Sequence, residues 1–216
     1  MPSSSVVVFD MGGVLYDFRG DRLIARTSRR PRRWRSEEVQ AHWPALVRGF
    51  ETGTTSEADF AEAVVRRYEL TLEPAEFLAE FRGAASGFYE GALSLVAELG
   101  ERHRVLSLSN TNPAQWPKVM ADLGASDPFH AHHPSHLSGF HKPDPRAFQA
   151  ISSALPAGAD CHFFDDRSEN VNAASKAGWR ARRVRGVAQA RAACAAVGLL
   201  PARQHVFLRA PVASKP

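Results

Sequence analysis

The chain has 216 residues, enough for one domain with a substantial insertion. Apolar residues make up 44% of the sequence and charged residues 23%, which excludes wholesale disorder and fibrous classes. The formal net charge is +4, and no apolar run is as long as the roughly 18 residues that a membrane helix needs. We therefore expect no membrane partner.

The remaining compositional signals favour a cytoplasmic protein. The N-terminal sequence, MPSSSVVVFD, has no basic segment and is not typical of a secretory signal. Two cysteines, Cys161 and Cys194, are too few for a disulfide framework, so a reducing compartment is favoured. An arginine-rich run at residues 29–35 could meet nucleic acid or phosphate, but no nucleic-acid-binding motif accompanies it. We expect a solvated surface there and no nucleic acid partner.

The first predicted element is a strand at residues 6–9, a continuous run of apolar and mostly β-branched residues. Such a run is typical of a strand that is buried on both faces. Asp10 follows it directly, and Gly12 and Gly13 then mark a loop. Residues 19–90 are predicted to be helical with no strand among them, and helices begin near Ser56 and near Pro74.

After residue 91 the pattern alternates between helix and strand. Helices are predicted at 93–99, 117–123, 145–155 and 170–177, and strands at 105–108, 161–164 and 181–184. A histidine-rich segment that ends near residue 139 is expected to be irregular. This alternation predicts an α/β protein with a doubly wound, mostly parallel, Rossmann-like sheet, and the helical block is inserted after its first strand.

Candidate functional residues follow the predicted strands. Asp10 follows the first strand, Ser109 and Asn110 follow the second, and Asp165 and Asp166 follow the third. Ligands bind at the carboxyl ends of the strands in such sheets. Lys142 lies in the intervening loop, GFHKPDP. A nucleophilic carboxylate, a counter-charge and oxygen ligands for Mg²⁺ are the groups that phosphoryl transfer requires.

Four segments resemble the four motifs of the haloacid dehalogenase-like (HAD) hydrolase superfamily, in the same order. They are FDMGGVLYD, SLSNTN, GFHKPDP and FFDDRSENVNAASKAG, and the resemblance spans roughly residues 6–198. It implies a Rossmann-like core at 1–18 and 90–216, with a helical cap at 19–89. Within the superfamily, FETGTTSEADFAEAV and SNTNPAQW most resemble the alpha-glucose-1-phosphate phosphatase branch.

The resemblance implies a Mg²⁺-dependent phosphatase acting on a small phosphorylated metabolite, with Asp10 as the nucleophile that forms an aspartyl-phosphate. Lys142 would have both a catalytic and a phosphate-binding role. The full set of phosphate-binding residues would be Ser109, Asn110 and Lys142. The implied Mg²⁺ ligands are the carboxylates of Asp10, Asp165 and Asp166 and the backbone carbonyl of Gly12. Asn170 would orient the acidic pair.

The chain departs from the superfamily pattern at Gly12. Most phosphatases of the superfamily have a second aspartate there, which protonates the leaving group. Loss of a general acid typically costs about 10² to 10⁴ in rate. The departure therefore favours leaving groups that need little protonation, such as an aryl oxide or an anomeric oxygen, unless Asp17 or the cap supplies the proton.

Two other functions compete with the phosphatase. A haloacid dehalogenase would use the same aspartate without a metal, but that branch resembles FDAYGTL in the first motif and has no paired acidic fourth motif. A non-catalytic member would bind a phosphorylated ligand as a sensor, although phosphate binding alone does not require a nucleophilic carboxylate. A sugar-phosphate mutase is disfavoured because it depends more strongly on the residue missing at Gly12.

Several aromatic and histidine residues remain open to more than one interpretation. Five histidines fall within residues 130–141 and suggest a transition-metal site, but loop histidines near the mouth of the site are favoured. Trp116 is expected either in the core or in the substrate pocket. Residues 16–22, Trp43 and Phe50 are candidates for substrate contact. The sequence does not give the oligomeric state, and the tail after Ala210 has a composition typical of disorder.

Overall fold

The computed structural model describes residues 5–200, so the tail after Ala210 lies outside the described residues. In chain order the strands are β1 Val6–Phe9, β2 Tyr16–Phe18, β3 Ala85–Phe88, β4 Arg104–Ser109, β5 Ala131–Pro134, β6 Cys161–Asp165 and β7 Arg180–Arg183. The helices are α1 Gly20–Thr27, α2 Ser36–Glu51, α3 Glu57–Tyr68, α4 Pro74–Arg82, α5 Ala92–Gly100, α6 Trp116–Leu123, α7 Ser135–Ser138, α8 Pro145–Ser152, α9 Ser168–Lys176 and α10 Gly186–Ala196. Within the described residues, none of the helices combines the length and the hydropathy that a membrane span requires.

Five strands form a parallel sheet in the order β5-β4-β1-β6-β7, which confirms the predicted fold class. β1 lies at its centre, between β4 and β6. Its alternate residues pack into two hydrophobic clusters: Val7 and Phe9 into one, and Val6 and Val8 into the other. Because both faces of β1 are covered, its sequence is continuously apolar and does not alternate.

Helices α1 to α4 lie between β2 and β3 in the chain and have a hydrophobic cluster of their own. Four phenylalanines are at its centre: Phe50, Phe60, Phe77 and Phe81. Ser56 caps α3 by accepting a hydrogen bond from the Asp59 amide at 3.1 Å, as the sequence predicted. The boundaries of core and cap at 1–18, 19–89 and 90–216 remain a prediction.

Two predicted segments are corrected by the structure. The helical region was expected to contain no strand, but β3 pairs with β2 in a two-stranded antiparallel sheet. β3 has the sequence ASGF and is partly exposed, so it lacks the apolar pattern that identifies a strand. The histidine-rich segment, expected to be irregular, contains β5 and α7. β5 lies at the edge of the parallel sheet and has the sequence AHHP, which is also not apolar.

The arginine-rich run at residues 29–35 precedes α2 on the surface. Arg30 contacts the Glu69 carboxylate at 2.8 Å and Arg33 contacts it at 3.8 Å. Arg35 lies 3.9 Å from Glu38. Exposed ion pairs of this kind contribute little to stability. The pairing is consistent with a solvated face.

Candidate active site

The candidate site lies where β1, β4 and β6 end. The carboxyl ends of these parallel strands meet at one edge of the sheet, which brings Asp10, Asn110 and Asp165 together. A cavity of about 630 Å³ opens there and is lined by Asp10, Gly12, Asn110, Lys142, Asp166 and Asn170, among others. The sheet topology therefore assembles residues that are up to 160 positions apart in the sequence.

Lys142 is at the centre of this group and is almost completely buried, with 1% of its surface exposed. Its ammonium donates hydrogen bonds to Asp10 Oδ1 at 2.8 Å and to Asp165 Oδ2 at 2.7 Å. A third bond, of 2.6 Å, goes to the Leu108 carbonyl oxygen. Three acceptors match the three N–H groups of an ammonium, so the lysine is held in one position.

Asp165 and Asp166 differ in their surroundings. Asp165 is fully buried, and both of its oxygens accept hydrogen bonds from Asn170 Nδ2 at 3.0 Å. The Arg167 amide donates to Asp165 Oδ1 at 2.8 Å. Asp166 is half-buried and lines the cavity, and within residues 5–200 no donor is hydrogen-bonded to its carboxylate. Asp165 therefore fixes Lys142, whereas Asp166 is available to a ligand.

The acidic cluster at the centre of the site carries more negative than positive charge. The carboxylates of Asp10, Asp165 and Asp166 and the one ammonium of Lys142 leave this cluster with a net formal charge of −2, and three arginines line the surrounding cavity: Arg167, Arg183 and Arg185. Burial, together with the charges of Asp165 and Asp166, raises the pKa of Asp10 to about 7 despite the opposing effect of Lys142. Burial and the charge of Asp165 also raise the pKa of Asp166. Burial lowers the pKa of Lys142, but the charges of Asp10 and Asp165 outweigh it and raise that pKa overall.

The same carboxylates fit a divalent cation. One oxygen from each of Asp10, Asp165 and Asp166 can be chosen so that all three lie within 4.8 Å of one another. Oxygen ligands of this type are those that Mg²⁺ prefers. Gly13 leaves room beside them, because a Cβ at this position would lie 2.9 Å from Asp166 Oδ2. Its φ of +73° also favours glycine.

Asn110 is positioned by its side chain as well as by its place after β4. Its Oδ1 accepts a hydrogen bond from the Lys142 amide at 2.8 Å, and its Nδ2 donates to the Lys142 carbonyl at 2.9 Å. The sequence suggested only a phosphate-binding role for Asn110, so this second function was missed. Ser109 is the last residue of β4 and is nearly completely buried, with 1% of its surface exposed.

Known proteins are similar to this chain in sequence and in fold. The family model for haloacid dehalogenase-like hydrolases matches residues 5–178. The chain belongs to this family. It is 30% identical over 193 residues to Phosphatase MT3486 of Mycobacterium tuberculosis, and the alignment covers 83% of this chain and 86% of that protein.

Solved structures resemble this hydrolase in fold. The HAD family enzyme BT-2542 of Bacteroides thetaiotaomicron, in complex with magnesium and inorganic phosphate, has a TM-score of 0.67 and 20% identity, over 84% of this chain and 94% of that one. The L-2-haloacid dehalogenase of Xanthobacter autotrophicus with chloropropionic acid covalently bound has a TM-score of 0.61 and 21% identity, over 92% and 85%. At these identities the resemblance shows the fold alone.

The opposite wall of the cavity comes from α2 of the hydrolase. Trp43, Pro44, Val47 and Glu51 line it. Glu51 Oε2 lies 2.8 Å from Nε2 of His141, the residue before Lys142. This pair joins the helical block to the loop that carries the lysine. No pattern in the sequence indicated this contact, because Glu51 and His141 are 90 residues apart.

The expected substrate contacts are only partly supported. Trp43 lines the cavity, but Phe50 is fully buried and stacks on Phe60 with ring centroids 4.2 Å apart. Phe50 therefore belongs to the hydrophobic cluster of the helical block. Asp17, a suggested proton donor, is paired instead with Arg19, whose Nε donates to it at 2.8 Å.

The clustered histidines of the hydrolase have separate partners. His130 Nδ1 accepts a hydrogen bond from the Val105 amide at 3.1 Å, and His132 Nε2 lies 2.7 Å from Asp127 Oδ2. Of the five histidines, His141 lines the main cavity. Trp116 is buried in the core cluster and contacts the His132 ring at 5.5 Å, so its role is packing.

Proposed function

We propose that this hydrolase is a Mg²⁺-dependent phosphatase that cleaves small phosphomonoesters through an aspartyl-phosphate on Asp10. The observation that carries the proposal is the buried Lys142 ammonium, which bridges Asp10 and Asp165 beside a third, available carboxylate. The relative named as a phosphatase and the fold neighbour crystallised with magnesium and inorganic phosphate also support it.

The metal would be held by Asp10, Asp166 and the backbone carbonyl of Gly12, with Asp165 alongside. Both Asp165 oxygens already accept hydrogen bonds, which favours an indirect role for this residue. Asn170 fixes Asp165 and so belongs to the support of the site. When bound, Mg²⁺ supplies positive charge that offsets the repulsion between Asp10 and a phosphate dianion.

Asp10 would be the nucleophile. Its Oδ1 accepts a hydrogen bond from Lys142, whereas Oδ2 accepts none within residues 5–200 and is free to attack. A bond forms between this oxygen and phosphorus as the bond from phosphorus to the leaving oxygen breaks. Water then attacks phosphorus, which releases inorganic phosphate and restores the carboxylate. Ser109 and the Asn110 backbone would donate hydrogen bonds to the phosphoryl oxygens. Lys142, whose three N–H groups already have acceptors, would attract these oxygens through its positive charge.

The substrate would be a small phosphorylated metabolite in the cytoplasm. Phe18, Trp43, Pro44 and Val47 line the cavity with apolar surface, and this wall contacts whatever group carries the phosphate. A sugar phosphate is the finer proposal, because the sequence resembles the alpha-glucose-1-phosphate phosphatase branch. The core residues recognise the phosphoryl group, so selectivity among such esters depends on the helical block.

The test is phosphate release from p-nitrophenyl phosphate, a sugar 1-phosphate and a sugar 6-phosphate, with Mg²⁺ and with EDTA. We expect turnover that requires Mg²⁺ and falls by more than about 10³ in Asp10→Asn, because the nucleophile is lost. Asp160→Asn is the matched control, since Asp160 precedes β6 at the opposite edge of the sheet. Its activity should match that of the wild type.

Two results would overturn the proposal. Release of chloride from 2-chloropropionate without added metal, and without phosphatase activity, would indicate a dehalogenase. Folded protein that binds Mg²⁺ and inorganic phosphate but turns over no ester in a wider phosphomonoester panel would indicate a non-catalytic binding protein. Calorimetric titration with each ion separates this result from simple failure to bind.

A further inference from the structure

We infer that Glu51 is the proton donor to the leaving group. It would replace the aspartate that most phosphatases of the superfamily have at the position of Gly12. The inference rests on the proposed phosphatase function. Four observations carry it: a second cavity beyond the phosphoryl site, the position of Glu51 at the junction of the two cavities, the separate engagement of the other carboxylates, and the hydrogen bonds that orient Glu51 through His141.

A side cavity of about 210 Å³ adjoins the main one. Four residues line both cavities, so the two are adjacent: Phe18, Trp43, Glu51 and Asn110. Asp10, Lys142 and Asp166 line only the main cavity. In phosphoryl transfer the attacking and leaving oxygens lie roughly in line across phosphorus. The leaving group therefore extends away from Asp10, and the side cavity is the space that receives it.

Glu51 is at the junction where the leaving oxygen would lie. Among the described residues, it is the one carboxylate that lines both cavities. Asp10 is the nucleophile, Asp166 faces the metal site, and Glu169 is paired with Arg167 at 2.6 Å. Asp21 lines only the side cavity. Position therefore favours Glu51 over each of the other acidic residues.

His141 orients the Glu51 carboxyl, and its tautomer follows from its partners. The Asn110 amide is fixed by the Lys142 backbone, so Nδ2 directs its second N–H at His141 Nδ1, 3.2 Å away. Nδ1 must then be an acceptor, which puts the proton of the neutral imidazole on Nε2. Nε2–H donates to Glu51 Oε2 at 2.8 Å. Within residues 5–200 no hydrogen bond is made to the other oxygen, Oε1, which leaves it to contact the substrate.

The proton transfer is balanced over the two half-reactions. Protonated Glu51 gives its proton to the leaving oxygen as Asp10 displaces it, so an alcohol departs and a Glu51 carboxylate remains. His141 Nε2–H stabilises that carboxylate through its hydrogen bond. In the second half-reaction Glu51 takes a proton from the attacking water, whose oxygen bonds to phosphorus. Release of phosphate restores the Asp10 carboxylate and protonated Glu51.

The experiment compares p-nitrophenyl phosphate with benzyl phosphate in wild type and in Glu51→Gln. The two esters are similar in shape, but p-nitrophenolate departs without a proton near neutral pH whereas benzyl alcohol requires one. We expect kcat/KM for benzyl phosphate to fall about 10² to 10⁴-fold and that for p-nitrophenyl phosphate to change less than about fivefold. Glutamine can still accept the His141 hydrogen bond, so the substitution removes the proton and keeps the contact.

Three further variants make the result decisive. Glu37→Gln changes an exposed carboxylate on the same helix and should leave both substrates unaffected. Glu51→Asp keeps a carboxyl group and should retain more benzyl phosphate activity than Glu51→Gln. Asp21→Asn tests the competing carboxylate. A selective loss of benzyl phosphate activity in Asp21→Asn instead of Glu51→Gln would overturn the inference.

The outcomes also separate this inference from the proposed function. If the wild type shows no Asp10-dependent turnover of p-nitrophenyl phosphate, the proposed function fails and the inference fails with it. If that turnover is present but Glu51→Gln lowers kcat/KM equally for both esters, Glu51 only holds the helical block in place. The inference is then wrong while the phosphatase stands. Thermal unfolding of Glu51→Gln, matched to wild type, excludes misfolding as the cause.

Discussion

The two walls of the candidate active-site cavity are built in different ways. On the sheet side, Lys142 and Asp165 are almost completely buried and each makes several hydrogen bonds. On the helical side, Trp43, Pro44 and Val47 present mostly apolar surface, and Glu51 is the charged residue of α2 that reaches the cavity. The sheet wall is therefore suited to one fixed chemical task, whereas the helical wall selects by shape and contact.

The buried charges of the sheet wall are not explained by stability. Taking charged groups out of water costs several kcal/mol for each ion, and an apolar replacement of similar volume is often as stable. This cost is tolerated in Lys142, Asp10 and Asp165 only because every N–H of the ammonium has an acceptor. A function that requires these charges is the physical reason to keep them.

The largest expected effect comes from breaking the sheet wall at Lys142. Lys142→Met leaves Asp10 and Asp165 buried without their counter-charge. We expect the free energy of unfolding to fall by about 3–5 kcal/mol, as when one partner of a buried ion pair is removed. Phosphatase activity should fall by at least about 10³. Urea unfolding and p-nitrophenyl phosphate turnover measure the two effects.

Lys176→Met is the matched control, because Lys176 lies at the exposed end of α9. Both its stability and its activity should match the wild type. Retention of wild-type stability in Lys142→Met would show that the buried carboxylates do not need the ammonium, against the geometry described above.

A smaller effect is expected from Gly13→Ala, which tests the space beside Asp166. The new Cβ would lie 2.9 Å from Asp166 Oδ2, and the backbone has a φ of +73°. The left-handed conformation costs about 1–2 kcal/mol for alanine, and displacement of Asp166 should weaken Mg²⁺ binding about tenfold. Isothermal titration with Mg²⁺ measures the second effect separately.

Gly158→Ala separates the two causes. Gly158 has a similar φ of +77°, but nothing lies within 4 Å of the position its Cβ would take. Its stability should fall by a similar amount while its Mg²⁺ affinity stays unchanged. Equal loss of affinity in both variants would mean that Gly13 acts through backbone strain alone.

The smallest effect is expected on the helical wall. Trp43→Phe reduces the apolar surface that lines the cavity, and we expect KM to rise about three- to tenfold for a sugar phosphate with little change in kcat. Phe50→Leu is the contrasting variant on the same helix, since Phe50 is fully buried away from the cavity. It should lower the melting temperature and leave KM unchanged. Steady-state kinetics and thermal unfolding together test whether the position of an aromatic residue on α2 decides if its substitution changes KM or the melting temperature.

The sequence predicted the sheet wall well because a few local rules determine it. A continuous apolar run identified β1, and the carboxyl ends of parallel strands must meet, so Asp10 and Asp165 were expected together. The position of Lys142 required the resemblance to known motifs, since a lysine before a proline is ordinarily exposed. Its burial is visible only in the structure, where it bridges two carboxylates.

The helical wall could not be predicted in the same way. The contact between Glu51 and His141 joins residues 90 positions apart, and no periodic pattern reports such a pairing. Phe50 and Trp43 are both aromatic residues of α2, yet Phe50 is fully buried in the hydrophobic cluster, whereas Trp43 packs against that cluster and also lines the cavity. Hydrophobic periodicity predicts that a helix has a buried face, but not which neighbour covers each part of it.

The pairing of β2 with β3 has a consequence for how such an enzyme can change. Tyr16 lies opposite Phe88, and Arg19 donates a backbone hydrogen bond to Ala84 at 2.8 Å, so the helical block begins and ends at adjacent points. A segment whose two ends are adjacent can be lengthened, shortened or replaced as a unit without shifting the strands on either side of it. Recombination at the paired strands β2 and β3 would replace the helical block in a single event and give the same parallel sheet a new substrate specificity.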